Sequence, residues 1–157
     1  MYNKNVRKSL LKYLEDEVLS GYSLNYYHTE PRGRITQKHD YVAVVTCNEN
    51  ESIRLPGGGN VEYNIRLKIS VSERPLRTSS VTYDPDMYKL EIADLVMNAL
   101  QSPTVVKYYE FSYDANDNEV STQNGNMVVA RSAKVIDLGE TIDKSRNEVA
   151  IDLVIFR

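Results

Sequence analysis

Two histidines, one cysteine, a glycine run and a few carboxylate pairs are the residues of this chain with the potential for chemistry. His28 and His39 stand eleven positions apart, with Asp40 beside the second. A metal centre needs three or four converging ligands, and a triad needs a nucleophile within reach of its base. Neither set accompanies these histidines, so they read as surface residues of a polar loop. Cys47 ends YVAVVTC, a β-branched run that reads as a strand. A thiol buried there acts as a small hydrophobe, whereas a nucleophilic one needs a lowered pKa and a nearby histidine. The run Pro56-Gly57-Gly58-Gly59-Asn60 would cradle phosphate only ahead of a helix N-terminus, and no Gly-Lys-Ser/Thr is present. A strand pattern follows it, so it reads as a turn between antiparallel strands. Arg74 and Arg77 lie in a Ser/Thr-rich loop, 73–83, suited to phosphate or an acidic partner. Glu91 and Asp94 share one side of an expected helix, on its solvent face, which argues against an acid–base pair. The stretch DANDNEVSTQNGN, 114–126, lacks the flanking helices and final glutamate of a helix–loop–helix calcium site. The sequence thus offers no catalytic residues, cofactor site or metal site, and the expectation is a protein that is not an enzyme.

The elements that must position these residues are clearer. VEYNIRLKISVS, Val61–Ser72, alternates without a break. Val61, Tyr63, Ile65, Leu67, Ile69 and Val71 fall on one face, and Glu62, Asn64, Arg66, Lys68, Ser70 and Ser72 on the other. This is a strand of roughly 40 Å, expected at the centre of a sheet with its polar face toward water or a polar partner. Residues 4–20 carry an apolar helical stripe, Val6, Leu10, Tyr13, Leu14 and Val18, with Gly21 placed to end the helix. The helix begins basic and ends acidic, against its own dipole, so it depends on docking. Asp84-Pro85-Asp86 is a strong helix start, with Asp84 as N-cap, and the helix is expected to run to Gln101. Further strands are expected at 22–27, 104–113, 127–138 and 148–157, with 114–126 as a hairpin loop. The last, EVAIDLVIFR, is apolar on both faces apart from Asp152, which suits a strand inside a sheet or under a partner. The order predicts one α+β domain, 1–157, with a mainly antiparallel sheet, a long central strand and two helices packed on one face.

Composition narrows the function classes. The chain has 157 residues and a net charge of −3, which argues against a dedicated nucleic-acid binder. One cysteine allows no intrachain disulfide and fits a reducing compartment. The opening MYNKNVRKSLLKYLEDE is too charged for a signal peptide, and no apolar run approaches the ~20 residues that span a bilayer. Twelve tyrosines accompany two phenylalanines and no tryptophan. Tyrosine suits surfaces buried on assembly, and it equally suits half-buried strand positions.

The N-terminal amphipathic helix, the strand VEYNIRLKISVS, the helix DPDMYKLEIADLVMNAL and the terminal strand NEVAIDLVIFR together resemble the tail terminator (tail completion) and neck proteins of tailed bacteriophages. The resemblance lies in element order, and the loops 28–40, 48–60 and 114–126 have no counterpart in it. It implies a virion protein assembled in the host cytoplasm as a ring, usually a hexamer. Such a ring caps the tail tube, stops its polymerisation and meets the head–tail connector or stopper, while DNA passes through the lumen unread. Loop 48–60 with Pro56, Gly57, Gly58, Gly59 and Asn60, loop 73–83 with Arg74 and Arg77, and the strand edges are then the expected contact surfaces. Other readings stay open. One is another phage part such as a tube, connector or baseplate component. Another is an enzyme built on His28, His39, Cys47 and carboxylates. The third is a binding module that pairs at a sheet edge.

Overall fold

A computed structural model describes residues 2–32, 39–50, 61–74 and 83–157. It is an α+β fold. Helix α1 (Tyr2–Tyr13) continues into a π-helical turn (Leu14–Val18), followed by β1 (Asn25–Tyr27), β2 (Tyr41–Asn50) and β3 (Glu62–Ser72). Then come α2 (Pro85–Ala99), β4 (Thr104–Tyr113), β5 (Glu119–Glu140) and β6 (Arg146–Phe156). The six strands form one sheet in the order β1-β2-β3-β6-β5-β4. Only β1 and β2 run parallel among the described strands.

The alternation of β3 builds the centre. Tyr63, Ile65, Leu67, Ile69 and Val71 are buried and continue through β6 as Ile155, Leu153, Ile151 and Val149. Val6, Leu10 and Leu14 from the first helix, and Ile92, Ala93 and Val96 from α2, close this face into one core. β6 lies between β3 and β5, which accounts for its two apolar faces, and its lone Asp152 sits directly across from Arg66. Arg66 Nε and Nη2 donate to the two Asp152 carboxylate oxygens at 2.7 and 2.9 Å, and this holds the carboxyl below its usual range.

Helix α1 decides the curvature. Asn3 Nδ2 donates to the Cys47 carbonyl of β2 at 2.7 Å. Six residues on, Ser9 Oγ accepts from Tyr109 N of β4 at 2.8 Å, and Asn5 Oδ1 accepts from Phe111 N at 3.2 Å. β2 and β4 are four strand spacings apart, roughly 19 Å in a flat sheet, while a helix lying along β4 is only about 10–12 Å wide with its side chains. The sheet therefore curls so that one helix reaches both strands. A bulge helps, because Asn124 and Gly125 together oppose Tyr108, with Gly125 at φ +82°. The basic start of α1 has a packing reason. Lys4, Lys8 and Lys12 lie 5.6, 5.1 and 5.5 Å from the ring centres of Tyr113, Phe111 and Tyr109. Four helical residues rise about 6 Å and two strand residues about 6.6 Å, so the two series stay in step.

Several expectations need correction. The first helix does not end on a left-handed Gly21; Leu19 N donates to Leu14 O at 2.7 Å and closes a π-turn, and Gly21 is not among the positive-φ residues. The region 22–27 yields only three strand residues. The polar stretch 114–126 is not one loop, since only 114–118 turn and Glu119–Asn126 pair with β4. Pairing and the neighbouring α1 override the weak strand propensity of those residues. The polar face of β3 is not uniformly wet either. Glu62, Asn64 and Arg66 remain accessible, but Lys68, Ser70 and Ser72 are buried. Lys68 meets Glu30 and Glu148, and Arg146 donates to Ser70 Oγ at 2.6 Å and to His39 O at 2.6 Å, so the segments around 30 and 39–40 cover that end.

Candidate assembly surface

Among the described residues, those singled out in the sequence are not brought together. Pro56, Gly57, Gly58, Gly59, Asn60 and Arg77 lie outside the described residues. Arg74 is exposed, and its backbone N–H donates to Ser72 Oγ at 3.2 Å. His28 and His39 offer their carbonyls, to Arg7 and Arg146 respectively. Burial, helped by Lys8, Lys4 and Arg7, pushes the His28 imidazole below its ordinary range. Burial raises the Cys47 thiol, and the charged groups that act on it are Arg7 and Glu49, neither a histidine. Among the described residues no three His, Cys, Asp or Glu side chains are grouped to hold a metal ion. Glu91 accepts from the Tyr22 hydroxyl at 2.7 Å and Asp94 is exposed, in line with a solvated helix face. Among the described residues, no helix is long and apolar enough to cross a membrane.

The strand edges differ. Along β4, α1 supplies the partners for Tyr109 and Phe111, which protects that edge. β1 pairs only with Tyr41–Ala43, so among the described residues Val44–Glu49 have no strand on their outer side.

An apolar row that sequence reasoning missed crosses the outer face of the sheet. Val105 of β4 is opposite Val128 of β5, which is opposite Phe156 of β6. Val105 is 66% exposed and Phe156 39%, with Val128, Ala130 and Val154 half-buried around them. A sheet face turned to water normally alternates to polar residues, and β2 and β3 do so here with Thr46, Asn48 and Asn64. The signal was present in the paired valines Val105-Val106, where one must face outward. Beside Val105, a groove of about 440 Å³ runs between β4 and the end of the first helix. Val105, Val106, Tyr109 and Tyr13 supply its apolar lining, with Lys107 and Glu17 among its charged groups.

The β5–β6 turn is a second missed feature. Ile142 is fully exposed at 104%, yet its turn is heavily bonded. Thr141 N donates to Arg146 O at 2.8 Å and Lys144 N to Thr141 O at 2.9 Å. Asp143 Oδ1 accepts from Ser145 Oγ at 2.7 Å, Thr141 Oγ1 at 2.7 Å and Ser145 N at 3.1 Å. The two hydroxyls, Ser145 first, depress the Asp143 carboxyl to about 2. Because its folded pKa is lowered, the contribution of Asp143 is complete above the ordinary aspartate range and is lost as pH falls through about 2. The Ser145 amide resonance should accordingly titrate with a midpoint near 2, and Asp143→Ala should remove that titration. A midpoint near the ordinary value of about 4 would show that the turn bonds are absent in solution.

Compared with known proteins, the chain matches no protein-family model and no curated protein sequence.

Proposed function

We propose that this chain is a structural virion protein of a tailed phage: a ring-forming tail terminator or neck subunit that caps the tail tube and meets the head connector. The observation that carries the reading is the apolar row Val105–Val128–Phe156, left open on the outer face of an otherwise closed core. Exposed contiguous apolar surface on a small chain marks a place for a partner. Element order supports the same reading, since the N-terminal helix, the long strand β3, helix α2 and the terminal strand β6 follow in the order on which the resemblance rests. The net charge of −3 suits a lumen through which DNA slides, because phosphate affinity comes from basic contacts. In the ring, subunits touch head to tail, one ring face meets the tube and the other the connector.

The direct test is tube length. Tail tube subunits assembled with this chain present should give short tubes bearing a ring at one end, against long open tubes without it. Unchanged lengths and bare ends would overturn the terminator role. Among the described residues no strand lies beyond Val44–Glu49 of β2, where Asn3 of α1 bonds to the Cys47 carbonyl, and this side supports a second reading, a module that adds a partner strand there. An extended peptide that binds and protects the amides of those residues would favour that reading.

A further inference from the structure

We infer that the ring contact is heterologous, with the Ile142 turn of one copy seated in the groove between β4 and the first helix of the next. The inference rests on the ring reading above and names the surfaces that would carry it. A lone exposed aliphatic residue needs no explanation by itself. Two observations set Ile142 apart. Its turn is pre-shaped: Asp143 takes three hydrogen bonds, and Lys144 adopts φ +56°, a conformation that costs a non-glycine residue energy. A tip ordered before binding loses little entropy on docking. The charges beside Ile142 also have opposites at the groove. Asp143 and Lys144 follow it in sequence, while Lys107 and Glu17 stand beside Val105. Lys12 and Asp16, also at the groove, pair with each other at 3.1 Å, and no ion pair among the described residues engages Lys107 or Glu17.

The occupant is a second copy of this chain because tip and socket are different surfaces of one molecule. Repeated head to tail, such a contact gives a ring or a filament, whereas a two-fold dimer would need both tips to enter both sockets of the same pair at once. In the socket, Ile142 covers Val105, and the apolar row through Val128 to Phe156 extends the covered surface.

Two exposed substitutions separate the surfaces: Ile142→Asp spoils the tip and Val105→Asp the socket. Each purified variant should still melt cooperatively, as exposed substitutions allow, and remain monomeric where the wild type assembles. Loss of one buried aliphatic side chain alone should weaken the contact about 30-fold. An equimolar mixture should give a species of two chains and no rings, because the intact tip of one variant fits the intact socket of the other. Light scattering reads all three outcomes. Assembly of either variant like wild type, or a mixture that stays monomeric, would overturn the inference and leave the ring reading standing. Wild-type chain that never associates would also overturn it, and the tube-length assay then decides the ring reading separately.

Discussion

Leu67→Asp leaves no folded protein. Leu67 is fully buried at mid-strand of β3, between Val44 of β2 and Ile151 of β6, which are also fully buried. Losing the leucine alone costs about 3 kcal/mol, and a carboxylate placed there has no cation or donor designed for it. The sum, on the order of 5 kcal/mol or more, rivals the ~5–15 kcal/mol that holds a typical domain. The variant should be insoluble, or should lack a cooperative melting transition by circular dichroism. A soluble Leu67→Asp chain that melts cooperatively would contradict the central place given to β3.

Lys89→Ala should cost about 3–5 kcal/mol in urea unfolding, a large loss for one lysine. Its side chain is completely buried in α2. The ammonium donates to Asp137 Oδ1 at 2.6 Å and to Asn147 Oδ1, and pairs with Asp86 at 3.0 Å, tying α2 to β5 and β6. Alanine removes these bonds, leaves a cavity and strands the buried Asn147 carbonyl. Lys89→Met keeps most of the volume but loses the charge and the hydrogen bonds, leaving Asn147 Oδ1 without its donor as alanine does. Asp86 and Asp137 are about half exposed and rehydrate, so methionine should cost about 1–2 kcal/mol. Equal losses in the two variants would mean that the charge and its hydrogen bonds, rather than volume, set the effect.

The fold was legible where a local pattern coincided with the final packing. The alternation of 61–72 placed β3, and Asp84-Pro85 placed the start of α2, whose Asp84 Oδ1 accepts from Asp86 N at 3.1 Å and Met87 N at 3.4 Å. The range 104–113 matches β4 at both ends. What failed depended on partners distant in sequence. Lys89 lies on the core stripe of α2, three and four positions before Ile92 and Ala93, but a lysine there reads as solvent-facing until Asp137 and Asn147 are known. Asp152 interrupted an apolar strand for no visible reason until the register set it against Arg66. Glu119–Asn126 became strand because β4 and α1 lie alongside, not because of its own composition.

The assembly surface was less legible for a related reason. The loops favoured in the sequence were chosen for glycine and arginine content, which speaks to flexibility and charge but not to apolar exposure. The row Val105–Val128–Phe156 joins three strands and exists only once their order is known. Ile142 could have been noticed as one aliphatic residue in the polar run GETIDKSRN, yet its full exposure follows from the hydrogen bonds of the turn. The tyrosines, attractive as assembly residues, largely pack within the chain. Tyr22 and Tyr83 flank Tyr88 at 6.1 and 5.9 Å, and Tyr27 meets Tyr41 edge-on at 5.6 Å.

Mass in solution tests the central claim most directly. Light scattering on the purified chain over a wide concentration range, with negative-stain imaging of the species formed, distinguishes a closed ring from everything else. The account predicts discrete rings near six subunits that do not grow as concentration rises. Tubes that lengthen without limit or a two-fold dimer would contradict the ring, and a monomer at every concentration would contradict only a ring that closes without its tail partners.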